Sequence, residues 1–423
     1  MIRAVANGEN TLSYWRHLAR ERAAAAEFAV RLSATPSAVR STAIAWVAPD
    51  LEAAWSAAVP GPLHGVPLLV KDLYDLAGVP TRAGSTFLER ERPVPVADSA
   101  LVRSFRELGA VPIAKTQLNE FAYGATGENA HSGDCFQLPH PDRLTGGSSS
   151  GSAWGAQAGI APLALGTDTG CSVRVPASFC GLWGVRLAPA HWSITDVFPL
   201  ARSFDSAGWF TANAADMAET IALILGEAPA TPVREGAWIS LADLGENEPD
   251  MDAALATAAS GIARPASPRV LRLVREAVER SLAAYTVIVA REALAVHRPF
   301  LEQHSTEYDP VVHARLKRAM EFTDSDEAAA RATMSAVGAL LRDAIAGAGF
   351  IVLPVSPMPA LTKAQSDDAN RTRILRLNTP ASLAGLPALT IPVPLPDGLS
   401  GGLQVIFASM ESAAPMSVLS ALA

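Results

Sequence analysis

The chain has 423 residues, 49% of them hydrophobic and 18% charged, enough to bury a large core as one big α/β domain or two smaller ones. A net charge of −8 without a basic block argues against a nucleic-acid partner, and no apolar run is long enough to span a membrane. The opening "MIRAVANGENTLSYW" lacks the apolar stretch of a signal peptide, and three cysteines (Cys135, Cys171, Cys180) without a CxxC pair argue against a disulfide framework or a thiolate zinc site.

In chain order, residues 11–34 are rich in Ala, Arg and Leu and predict a surface helix; 49–58 predict a helical linker, so that 1–60 reads as an N-terminal helical segment. Leu68–Val70 is a buried-strand pattern that delivers Lys71 at its end. "DSALVRSFRELGAVPIAKTQ" reads as helix then strand with Gly109 as the stop, and 151–160 as a helix followed by the strand "PLALGTDT". A helix over 213–225 is capped by Thr211 or Asn213, residues 226–268 look irregular and acidic, and long helices run from 269 to 347. Strand patterns return in "GFIVLPVSP" and "PALTIPVPL". Alternating helix and strand predicts an α/β fold: one layered domain over 1–423, with a mixed sheet flanked by helices on both faces and 226–268 as an insertion.

Chemistry is concentrated in "LTGGSSSGSAWGAQAGIAPLALGTDTGCSVRVPASFCG", Leu144–Gly181, which holds two Gly/Ser loops and no histidine. A phosphate-cradling loop lacks its G-x-x-x-x-G-K-[ST] spacing here. A nucleophile elbow is formally matched by Gly147–Gly151, but "LPHPDRL" before it is no strand and the downstream histidines sit in no recognisable loop. The third reading is a serine nucleophile served by a lysine held neutral. Only four lysines exist among 34 basic residues: Lys71, Lys115, Lys317 and Lys363. Bringing a lysine from about 10.4 to 7–8 takes about 4 kcal/mol of desolvation and neighbouring dipoles, and Lys71 at the end of an apolar strand is placed to experience it.

Three blocks in order carry a resemblance. Gly146–Pro176, "GPLHGVP…VKD" at Gly61–Asp72, and "AKTQLNEFA…EN" at Ala114–Asn129 are similar to the amidase signature family of serine hydrolases, strongly over 62–211 and less so over 350–408. The resemblance implies amide hydrolysis through an acyl-enzyme, with Ser172 as nucleophile, Ser148 on a cis peptide bond as relay, and Lys71 as general base. The backbone N–H groups of Thr169, Gly170, Cys171 and Ser172 would form the oxyanion hole. It further implies that Asp168 and Arg174 pair beside the nucleophile, that Ser149 hydrogen-bonds within the triad, and that Ala122, Tyr123 and Gly124 line the acyl pocket. No metal and no cofactor are implied.

One departure stands out: Cys171 occupies a position that is usually glycine in the family. A positive φ there would strain a Cβ; otherwise Cys171 narrows the pocket or lies beside it, the reading favoured here. Taken alone, Lys71 would read as a solvated surface lysine. Ser150 and Ser152 read as N-caps, Lys115 as a structural residue, and the cysteines as core filling. The run "GENAHSGD…SFDSAGWF" resembles short members of the family such as plant indole-3-acetamide hydrolase, implying a small aryl- or alkyl-amide as the small-molecule partner. The alternatives are the glutaminase subunit of a tRNA-dependent amidotransferase, or a hydrolase of an ester, hydrazide or carbamate. A cytoplasmic setting is expected, without nucleic acid or membrane, and with a homodimer left open.

Overall fold

Eleven runs of residues pair into one sheet: β1 (Ile44–Val47), β2 (Pro67–Lys71), β3 (Val111–Thr116), β4 (Leu163–Thr167), β5 (Trp183–Arg186), β6 (Ala207–Thr211), β7 (Gly236–Trp238), β8 (Ala263–Pro265), β9 (Ile351–Pro354), β10 (Ala388–Pro394) and β11 (Ser400–Ile406). The computed structural model describes residues 7–228 and 235–422. Spatial order is β1-β3-β2-β4-β6-β5-β10-β11-β9-β7-β8. β2 lies parallel between β3 and β4, with Lys71 opposite Thr116 and Val70 opposite Leu165. From β4 through β6, β5, β10 and β11 to β9 the neighbours are antiparallel. Every residue of β2, β3, β4, β5 and β6 is buried, as expected of near-continuous apolar strands covered on both sides. Because β2 and β4 run parallel, their C-terminal ends open at the same edge of the sheet, where α/β folds collect their polar residues.

Six helices carry or back the residues described below: α1 (Ser150–Gln157), α2 (Arg174–Cys180), α3 (Pro268–Leu301), α4 (Pro310–Ala319), α5 (Asp324–Ala348) and α6 (Asp368–Leu383). α1 packs on β2 and β4, α2 on β10 and β11, and α3 carries α4, α5 and α6. Strands from residues 44 to 406 thus share one sheet in a layered α/β domain. Among the described residues no helix is long and apolar enough to cross a membrane.

The structure departs from expectation in three places. The span 11–34 is two helices, Leu12–Arg20 and Ala24–Ala34, and they bury Leu12, Trp15 and Phe28 rather than merely covering the surface. Within 226–268, part of the described chain is regular: β7 and β8 extend the sheet and a helix runs over Pro249–Ala259, while 229–234 lie outside the described residues. The acidic residues there, Asp250 and Asp252, occupy the first turn of that helix, where negative charge is favoured and Pro249 fits. Of the two candidate caps before Ala214, Asn213 accepts from Asp216 N–H, whereas Thr211 donates to the Asn213 carbonyl.

Candidate active site

Lys71 ends β2 with its side chain fully buried. Its Nζ lies 2.8 Å from Ser148 Oγ, 2.9 Å from Ser149 Oγ and 2.8 Å from Thr167 Oγ1, three hydroxyls and no carboxylate. An ammonium donates three hydrogen bonds and a neutral amine donates two and accepts one, so this shell satisfies either state. Burial pushes Lys71 from 10.5 down to about 7, against the opposing pull of Asp168, Asp205 and Cys171. That difference favours the uncharged amine by roughly 5 kcal/mol relative to an exposed lysine. The solvated-lysine reading is therefore wrong.

The first loop is shaped by lack of room. A Cβ on Gly147 would overlap Asn119 Oδ1, so only glycine passes there, and the Gly147–Ser148 peptide is cis. Ser149 Oγ donates to the Thr167 carbonyl at 3.2 Å and accepts from Thr167 N–H at 3.3 Å, which fixes it as an acceptor towards Lys71. Only Ser148 and Thr167 then have hydroxyl protons free to face the amine. Ser150 and Ser152 do not cap α1 with their side chains: Ser150 is its first residue, and Ser152 Oγ donates to the Leu165 carbonyl at 2.7 Å.

The second loop, between β4 and α2, is tied down by a buried ion network. Arg174 meets Asp168 at 2.9 Å and Arg186 meets the same carboxylate at 3.5 Å, all three side chains fully buried. Burial alone would raise the Asp168 pKa; the two guanidiniums override it and hold the carboxyl well below the usual range. Asp168 Oδ2 also accepts from the N–H groups of Val173 and Arg174, at 3.1 and 3.2 Å. The carbonyls of Gly170, Cys171 and Ser172 are engaged by Arg174, Val175 and Ser149. Among the described residues, by contrast, the N–H groups of Thr169, Gly170, Cys171 and Ser172 donate to no acceptor. Four adjacent unused donors next to one serine are a set that can accept a negatively charged oxygen.

Ser172 is buried, and its hydroxyl makes no hydrogen bond among the described residues; the contact to the first loop runs through its carbonyl, which accepts from Ser149 N–H at 3.3 Å. Cys171 has no positive φ, so its Cβ is unstrained, and burial pushes its thiol up to about 12, leaving it protonated at neutral pH. The three residues expected around the acyl pocket fall on more than one cavity, with Tyr123 and Gly124 sharing the one beside Glu128. Ala122 borders an apolar cavity of ≈ 200 Å³ with Leu73, Thr169, Ile194 and Phe198, while Tyr123 lines a second cavity beyond Gly170 and Gly124 a third beside Glu128.

Besides Arg186, Thr167 and Asp205 were not legible from the sequence. Thr167 reads as an ordinary β-branched strand residue, and it reaches Lys71 because β4 runs two residues beyond Leu165, its last residue paired with β2. Asp205 accepts from Thr169 Oγ1 at 2.6 Å and from the N–H groups of Leu200 and Ala201, bracing the loop from the far side. The signal was present in "SFDSAGWF", but nothing local tied that aspartate to a threonine 36 positions earlier. Among the described residues no group of three His, Cys, Asp or Glu side chains is placed to hold a metal.

The Amidase family model matches residues 21–280. The chain is 38% identical to Amidase 1 of Oryza sativa subsp. japonica over 39% of its own length and 38% of that relative's. It is 29% identical to a glutamyl-tRNA(Gln) amidotransferase subunit of Akkermansia muciniphila over 91% of this chain and 92% of that one. A solved amidase crystal structure superposes with a TM-score of 0.79 at 30% identity, covering 99% of this chain and 97% of the other. With its family model matched over most of the chain and its sheet shared with a solved amidase, the chain belongs to the amidase signature family of amide-hydrolysing enzymes.

Proposed function

We propose that this enzyme cleaves a carboxylic amide through an acyl-enzyme on Ser172, with Ser148 relaying the proton to Lys71. The observation that carries the reading is the amine of Lys71, brought by burial from 10.5 down to about 7 and ringed by hydroxyls. Neutral Lys71 takes the Ser148 hydroxyl proton as Ser148 takes that of Ser172, and Ser172 Oγ adds to the amide carbon. The resulting oxyanion falls to the free N–H groups of Thr169–Ser172, each worth about 3–4 kcal/mol when aimed at it. As the C–N bond breaks, the proton returns through Ser148 to the leaving nitrogen; water, deprotonated by the same route, then hydrolyses the ester and frees the acid. Without substrate the Ser148–Ser172 contact is open, as hydrogen bonds between reacting groups often are before the substrate complex forms.

The apolar cavity beside Ala122 and Thr169 suits a small aryl or alkyl group, and the same acyl chemistry would act on esters, hydrazides or carbamates. The test is Ser172→Ala: turnover of an amide panel stops, and the mass shift of a trapped acyl adduct, seen in the unchanged enzyme, disappears. Retained turnover in Ser172→Ala with loss in Ser149→Ala would overturn the assignment. A second reading, the glutaminase subunit of a tRNA-linked amidotransferase, draws on the relative matched along 91% of this chain. Efficient hydrolysis of simple amides by the purified chain alone removes it; activity only with added partner subunits removes the free-standing enzyme instead.

A further inference from the structure

The structure holds two sets of buried or half-buried arginines that differ in one respect. Arg174 and Arg186 share the carboxylate of Asp168. Arg315 on α4 and Arg371 on α6 line a cavity of ≈ 470 Å³ together with Tyr123, Tyr285 and Leu375, and neither forms an ion pair among the described residues. Arg315 donates to the Tyr123 carbonyl with its Cζ 5.7 Å from the Tyr123 ring centroid. The Nε of Arg371 is shut away from solvent with no acceptor. Burial, and then the neighbouring Arg371, push Arg315 down to about 10, as expected of like charges packed together, although Tyr123, Asp368 and Asp309 pull the other way. Asp368 borders the cavity too, but it is exposed and lies beyond ion-pair distance of both guanidiniums.

This cavity adjoins the Ser172 loop. A Cβ on Gly170 would collide with Tyr285 Oη and lie 3.4 Å from Leu375 Cδ2, so two lining residues rest directly on Gly170. The Tyr285 hydroxyl makes no hydrogen bond among the described residues, and burial holds it protonated, a donor on the cavity wall. Two guanidiniums without ion partners, one of them with an unsatisfied Nε, and a protonated phenol give the cavity an excess of hydrogen-bond donors over its one carboxylate, the exposed Asp368. A planar anion with several lone pairs, held by forked hydrogen bonds, is the ligand that matches this excess.

We infer that the cavity between α4 and α6 binds a carboxylate of the substrate, so that the amide cleaved here carries an acid group a short chain away from the scissile carbonyl. This rests on the acyl-enzyme reading and narrows its substrate class. Placing the charge there fixes the carbonyl over the free N–H groups, and a site built around buried donors rejects an analogue that leaves them empty.

The experiment pairs isosteres. Succinamate and butyramide differ by a carboxylate in place of a methyl group; N-propionylglycine puts the acid on the amine side instead. With the unchanged enzyme, kcat/KM for one of the two acids exceeds that for butyramide at least 100-fold, and which acid wins assigns the pocket to the acyl or the amine half. In Arg371→Gln that ratio drops at least tenfold, mainly through KM, and Arg371→Lys recovers part of it. Ser172→Ala, titrated calorimetrically without turnover, binds the preferred acid at least tenfold tighter than butyramide. Equal kcat/KM for acids and butyramide, or equal affinities in Ser172→Ala, overturns the inference and leaves the acyl-enzyme standing. Absence of turnover and of any acyl adduct would instead remove the acyl-enzyme, while the calorimetry still decides the pocket.

Discussion

Two lysines sit on neighbouring parallel strands, both shut from solvent, with Val70 opposite Lys115 and Lys71 opposite Thr116. Lys115 meets the Asp72 carboxylate at 2.5 Å and adds Thr81 Oγ1 and the Pro80 carbonyl. Lys71 meets hydroxyls alone. Burial is the same; the partner differs. A carboxylate supplies a counter-charge and makes the lysine a structural pin, whereas hydroxyls only complete its hydrogen bonds and leave the desolvation cost unopposed at close range. The fold thus gives one buried lysine a counter-charge and leaves its neighbour without one, which is the condition the proposed base needs.

Substitution separates the two most sharply. Lys71→Met lowers kcat/KM by about a hundred- to ten-thousandfold, the range of a lost general base, yet leaves the thermal unfolding midpoint within a few degrees, because no buried charge is orphaned. Lys115→Met strands the buried Asp72 carboxylate and costs about 3–5 kcal/mol of stability, read from chemical denaturation, while the folded fraction keeps its turnover within about tenfold. Should Lys71→Met prove the less stable variant and Lys115→Met the less active, the assignment of roles is reversed.

How much of this was legible beforehand depends on how local each signal is. Lys71 could be read because an apolar strand ends in a lysine and so few lysines exist. The two Gly/Ser loops could be read because close backbone approach demands small residues. The Asp168–Arg174 pair could be expected because the two opposite charges flank the serine that the resemblance singles out, but Arg186, which shares the carboxylate, could not. Arg315 and Arg371 lie on different helices, each with the look of an ordinary solvated residue, and they meet only because α4 and α6 both pack against α3. The acidic run before α3 misled for the opposite reason: local charge suggested irregular chain where it marks a helix start.

Titration sharpens the comparison further. Lys71 must be neutral to accept a proton, and burial lowers it from 10.5 to about 7, so kcat/KM for an uncharged amide rises with pH and levels off above about 7. A lysine left at its ordinary value would push that rise above about pH 10. A profile still climbing steeply between about pH 9 and 10 would show that the hydroxyl shell does not keep the amine neutral.

The smallest effect isolates one hydroxyl. Thr167→Val keeps the strand residue's shape but replaces the oxygen 2.8 Å from Lys71 Nζ with a methyl group. The charged form then loses one acceptor and sits in a drier shell, and both changes disfavour it, so the rising limb of the profile moves to lower pH by about one unit. Ser148, the other hydroxyl with a free proton, is untouched, so the proposed relay survives and kcat on the plateau falls by about tenfold or less, through looser positioning of the amine. A shift to higher pH would mean that Thr167 serves the neutral amine as a donor. In that case Thr167, rather than Ser148, would be the hydroxyl whose proton the lysine holds.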